Sequence, residues 1–147
     1  MAVIREFKPK TVLMGRLDKG ADIIDSLETI CKERQIEAAW VNILGAVDKA
    51  TLSYYHQNDK KYSHHEIQGG YEIVSCIGNI SLKDGKPFAH LHIVLSGEQD
   101  QTLGGHLWPG STSVFAAEFI LWTLESVDGG GPLLRCADIE TGLALWK

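Results

Sequence analysis

The sequence predicts a single α+β domain in which one main helix packs on a largely antiparallel β-sheet. Three observations carry that expectation: one stretch has apolar residues at helical spacing, several apolar runs read as strands, and turn signals rich in Gly, Asp and Asn separate them. The length agrees, since 147 residues is the size of one ordinary domain and buries a core without staples, so residues 1–147 read as one unit. A hydrophobic content of 44% with 22% charged residues lies in the globular range and favours neither a disordered nor a fibrous chain.

The helix is DIIDSLETICKER, where Ile23, Ile24, Leu27, Ile30 and Cys31 form one stripe. Asp22 is placed to cap its start. Asp25 and Glu28 put negative charge near the helix N-terminus, where the dipole favours it, and Lys32 and Arg34 sit near the other end. AAWVNILGAV and ATLSYYH follow as strand-like segments, QNDKKYSHH reads as a polar connection, and GYEIVSCIGNISL is another strand. KDGK at Lys83 to Lys86 signals a tight turn, which predicts a hairpin between the strand ending near Leu82 and PFAHLHIVL. SGEQDQTLGGHLWPGST reads as a loop. The strand-like SVFAAEFILWTLES, a turn at DGGGP and the terminal LLRCADIETGLALWK complete the chain, with no internal repeat or linker.

Composition narrows the function classes. MAVIREFKPKTVLMG lacks the basic-then-apolar order of a secretory signal, and no apolar run approaches the roughly 20 residues of a membrane span, so a soluble, cytoplasmic chain is expected. Cys31, Cys76 and Cys136 are widely separated and form no Cys-x-x-Cys pair. This argues against a disulfide framework or a thiolate metal knuckle and predicts three small core hydrophobes. The net charge of −5 repels phosphate unless a local basic patch overcomes it. No such patch stands out, because Arg5, Lys8 and Lys10 are thinly spaced and Lys60 and Lys61 adjoin Asp59.

The residues with the clearest chemistry lie in PFAHLHIVLSGEQDQTLGGHLWPG, which holds His90, His92 and His106. On an extended strand His90, His92 and Val94 share one face while Ala89, Leu91, Ile93 and Leu95 share the other. Two imidazoles side by side can grip a borderline-soft ion such as Zn²⁺, and they can equally be ordinary strand polarity. His106 strengthens the first alternative. Gly104 and Gly105 permit backbone conformations closed to other residues, which would turn its imidazole back toward the strand. Three histidines leave a coordination position open, the pattern that lowers the pKa of bound water or polarises a carbonyl. His56, His64 and His65 fall in or beside the polar connection and read as solvated.

Glu118 is a carboxylate among apolar neighbours, alternating with Val114, Ala116, Ile120 and Trp122. It could orient a metal-bound histidine or act as an acid or base, and a solvated sheet face explains it as well. Glu72 has a similar setting. Arg16 could hold an anion or simply pair with Asp18 or Asp22.

RLDKGADIIDSLETIC, AAWVNILGAV, GGYEIVSCIGNISLKDGKPFAHLHIVLSG and GGHLWPGSTSVFAAEF, in that order, resemble the PPC family, the plants-and-prokaryotes conserved domain that stands alone in bacteria and archaea. The resemblance runs from Arg16 to Trp122 and rests on His-x-His paired with Gly-Gly-His-Leu. It implies a compact α/β sandwich with a mixed, mainly antiparallel sheet, and a homotrimer. In plants the domain follows an Arg-Gly-Arg-Pro arm that enters the DNA minor groove, and prokaryotic members carry the DNA-binding label by that similarity. This sequence has no Arg-Gly-Arg-Pro. Members with all three histidines are similar to zinc-binding proteins, and the fold is similar to that of acetolactate decarboxylase, whose zinc is held by three histidines with His-x-His on a strand. That similarity nominates His90, His92 and His106 as zinc ligands and, through its strand alone, Glu118 as a catalytic group. Two functions are therefore expected: a DNA-binding or regulatory homotrimer with a zinc site, or a zinc-dependent lyase or hydrolase acting on a small carbonyl compound. An open zinc that senses a small-molecule ligand is a lesser third.

Overall fold

The structure, a computed structural model, describes residues 2–147. In chain order the elements are β1 (Phe7–Leu17), α1 (Ile23–Glu33), β2 (Ala39–His56), β3 (Lys61–Lys83), β4 (Lys86–Ser96), β5 (Thr102–Leu107), β6 (Ser113–Ser126), β7 (Leu134–Ala137) and β8 (Ala144–Trp146). The fold is α+β: one helix on a mixed sheet whose only parallel pairing is between β3 and β7 among the described residues.

The helix forms where the apolar stripe lies. Ile23, Ile24, Leu27 and Cys31 are buried against the sheet, and Asp22 caps the start through its Oδ1, which accepts from the Asp25 backbone N–H at 2.9 Å. The other carboxylate oxygen accepts from the Thr112 N–H at 2.8 Å and from its hydroxyl at 2.6 Å, so the same residue ties the helix to the segment before β6. Beneath the helix the core is built from the inward faces of the strands: Val41, Ile43, Leu91, Ile93, Leu95, Val114 and Leu121.

The sheet curls into a ring. β2 pairs with β3, β3 with β4, β4 with β5, and β5 returns to β2 through Leu52↔Leu107 and Ser53↔His106. β2 has room for two partners on one edge because β6 runs beside Ala39 to Lys49, leaving the later residues to β5. Between β3 and β4 the turn is Asp84-Gly85, both at positive φ (52° and 73°), a pair whose twist matches a two-residue hairpin.

Three expectations are corrected. The polar connection shrinks to residues 57–60, because β2 continues through His56 and β3 begins at Lys61. Here strand structure is held by the ladder and by cross-strand aromatics such as Tyr55 on Tyr62, with ring centroids 4.8 Å apart, rather than by an apolar face. Thr102–Leu107, expected in a loop, is the strand β5, drawn into the sheet by two open ladder edges at once. Cys31 and Cys76 are buried, but Cys136 is exposed on the short outer strand β7, which no further layer covers.

Candidate metal centre

β4 alternates as its sequence requires: Ala89, Leu91, Ile93 and Leu95 are buried, while His90 is half-buried and His92 exposed on the opposite face. The helix steadies this strand at its start, where Glu28 Oε1 accepts from the Ala89 N–H at 2.9 Å. Gly78 lets β3 lie close against it, since a Cβ there would meet the His90 carbonyl oxygen at 1.9 Å.

β5 delivers the third histidine. His106 stands directly opposite His92 on one edge and opposite Ser53 on the other. Gly104 and Gly105 act through small size rather than unusual backbone: neither has positive φ, and Cβ atoms added to them would lie 3.1 Å from the Ile93 carbonyl oxygen and 3.3 Å from that of Ser53. The imidazole centroids are 5.3 Å apart for His90–His92, 5.2 Å for His90–His106 and 5.5 Å for His92–His106. One ligand atom from each lies within 4.8 Å of the others, and no carboxylate belongs to the cluster among the described residues.

Burial pushes the His90 imidazole down to about 4, with Arg135 and the other two histidines adding to the effect. His106 is pushed down to about 4 as well, by burial first and then by His92, Arg135 and His64. Both rings are therefore neutral at pH 7 and each offers a lone pair. The donor set fits a divalent ion of the zinc type, whose bonds to imidazole of about 2.0–2.1 Å require only side-chain adjustment from the separations seen.

Aromatic residues border the cluster. Tyr62 stacks with His106 at 5.5 Å and 29°, Trp108 meets His64 edge-on at 4.2 Å, and His64 Nδ1 shares a 2.9 Å hydrogen bond with Ser53 Oγ. His64, expected to be solvated, is exposed yet tied to this aromatic group. His56 is exposed and bonds Ser63, and His65 is exposed.

The remaining candidates stand elsewhere. Glu118 is exposed on β6, in register with Arg16 on one side and Leu44 on the other, and is not brought into the histidine cluster. Arg16 lies 3.8 Å from Asp18, and Glu72 is exposed opposite Ala46 and Ser96. Arg135 went unnoticed in the sequence. Its Nη2 lies 3.4 Å from His90 Nδ1 although 45 positions separate the two, and no local pattern announces such a contact.

The chain matches the Plants and Prokaryotes Conserved (PCC) domain over residues 4–125. It belongs to that family. Among solved structures, a metal-containing protein from Archaeoglobus fulgidus is 37% identical to this PCC-domain chain, with a TM-score of 0.92 and 99% of both chains covered. A plant- and prokaryote-conserved (PPC) protein from Pyrococcus horikoshii is 34% identical, with a TM-score of 0.90 over 99% of this chain and 97% of its own. A Bacteroides thetaiotaomicron protein, to which DNA binding is provisionally ascribed, shares the fold at 24% identity and a TM-score of 0.82, with 96% of both chains covered. A curated relative, the bifunctional protein GlmU of a Synechococcus strain, is 31% identical over 107 residues, which is 72% of this chain and 16% of that protein.

Proposed function

We propose that this PCC-domain protein is a zinc protein whose three-histidine centre keeps a coordination position open for a small carbonyl compound, as in a lyase or hydrolase. The observation that carries the reading is the convergence of His90, His92 and His106 from two adjacent strands, with their ligand atoms within 4.8 Å. The similarity to a metal-containing protein of A. fulgidus supports it. Zinc held in this way supplies Lewis acidity to a carbonyl or a nucleophilic water near neutral pH. The chain's own residues present two neutral imidazoles with no carboxylate in the cluster among the described residues, and Tyr62, itself packed on Trp108, stacks on His106.

Self-association into a homotrimer belongs to the same reading. Across the outward face of the sheet, Met14, Ile120, Asn42, Ile77, His92 and His106 form one cross-strand row, flanked by Val12, Trp122 and Trp40. Met14 is 80% exposed and Trp40 45%, an apolar surface that a neighbouring subunit would cover. Glu118 lies on this face, so its service as acid or base requires the assembly to carry it to another subunit's histidines.

The deciding experiment is elemental analysis of tag-free protein beside His90→Ala and His106→Ala. About one zinc per chain in the parent and none in folded variants is expected; a metal-free parent after incubation with zinc overturns the reading. A second reading, a DNA-binding regulator, is favoured by what is ascribed to the B. thetaiotaomicron protein. It demands binding that weakens steeply with salt, because the net charge of −5 opposes phosphate.

A further inference from the structure

Arg135 lies on β7, beyond the residues 4–125 that match the family. Its half-buried guanidinium is tethered by neutral partners: Nε donates to Ser81 Oγ at 2.9 Å, Nη1 to the Ala144 carbonyl at 3.0 Å and Nη2 to Asn79 Oδ1 at 2.9 Å. The rings of Phe88 and Trp146 lie 5.2 and 5.3 Å from its central carbon. Among the described residues no carboxylate pairs with it, the ion pairs being Lys8–Glu125 and Arg16–Asp18. A guanidinium has five N–H groups, and these tethers use three.

A fourth N–H, on Nη2, faces His90 Nδ1 at 3.4 Å. Metal binding removes that acceptor whichever nitrogen the ion takes. A neutral imidazole has one lone-pair nitrogen and one N–H. An ion on Nδ1 consumes the lone pair facing Arg135, and an ion on Nε2 leaves Nδ1 carrying the proton. In both cases a half-buried cation, paired with no carboxylate among the described residues, is left with an N–H on Nη2 that faces His90 and has no acceptor there.

The geometry points to a small carboxylate anion as the ligand of this centre, one of whose oxygens would accept from Arg135 while the other would face the ion that His90, His92 and His106 would hold. This inference rests on the three-histidine metal reading and names the ligand class for that site. Arg135 is then its specificity-determining residue: the planar fork suits a two-oxygen anion, and the loss of the His90 acceptor couples metal loading to anion binding.

The test uses tag-free protein loaded with Co²⁺, whose visible absorption reports its coordination, titrated with acetate and with the uncharged isostere acetamide. The expected result is a saturable shift with acetate, at least about tenfold weaker with acetamide and weakened about tenfold or more by Arg135→Gln. Ser81→Ala removes one tether and keeps the guanidinium, so its acetate affinity should stay near the parent's. Should Arg135→Gln fail to fold, Arg135→Lys decides: it keeps the charge without the fork and should bind several-fold more weakly. Equal acetate affinity in the parent and the folded Arg135 variant, both with full cobalt content, overturns this inference alone. Tighter binding of inorganic phosphate than of acetate overturns the carboxylate class. Failure of the parent to retain cobalt or zinc overturns the metal reading, and this one with it.

Discussion

His92 and His106 stand directly opposite one another across the β4–β5 ladder, their rings 5.5 Å apart and nearly perpendicular at 78°. His90 lies two residues along the same strand as His92, so a single antiparallel ladder sets all three positions. Groups held this way need little reorganisation to bind an ion.

Loss of one histidine should therefore abolish binding rather than weaken it gradually. Saturating zinc should raise the melting temperature of the parent, by an amount equivalent to about 2.7 kcal/mol at a hundredfold excess over Kd, and should leave His106→Ala unmoved. Thermal melts with and without zinc check this, and a zinc-induced rise that survives in the variant would sink the ligand assignment.

The metal-free protein should lose stability in mild acid. His90 and His106 titrate at about 4 in the folded chain against 6.5 for an exposed imidazole, so between those values the unfolded chain binds protons that the folded one does not. Their contribution is complete above pH 6.5 and is lost progressively as pH falls toward 4. Melts across that window should fall more steeply in the parent than in a His90→Ala/His106→Ala double variant; equal slopes would contradict the assignment.

Asp22→Ala should destabilise the fold by about 2 kcal/mol or more, because the change removes a helix cap and leaves the Thr112 N–H without its acceptor. Urea unfolding measures it. Asp22→Asn keeps one acceptor oxygen, enough for the cap but not for the Thr112 N–H as well, and should recover part of the loss.

Gly78→Ala should be among the most damaging single changes in the chain. A methyl there would sit 1.9 Å from the His90 carbonyl oxygen, a distance that only separation of β3 from β4 relieves. A loss on the order of 3 kcal/mol is expected, together with weaker metal binding, since the displaced strand carries two ligands. A variant as stable as the parent would show that the two strands are not so closely apposed.

Much of this was readable in advance. The helix from Ile23, its Asp22 cap and the Asp84-Gly85 turn were local, because capping, apolar period and positive φ are decided within a few residues. His90 and His92 were legible as a pair through strand alternation alone. The strand carrying His106 was not, because Thr102–Leu107 is polar and glycine-rich and becomes a strand only where two ladder edges await it. The exposure of Cys136 escaped for a related reason: burial depends on which layer covers a strand, and no residue near Cys136 encodes that.

The sequence by itself determined the α+β class, the family resemblance and the identity of the three histidines, since periodicity and motif spacing are properties of neighbouring residues. Only the tertiary structure decided that Glu118 faces outward beside Arg16 and Leu44, and that Arg135 reaches His90. Those relations arise where strands far apart in the chain are brought side by side, and the energy that places them is the burial of Leu91, Ile93, Leu121 and their partners, spread over the whole core.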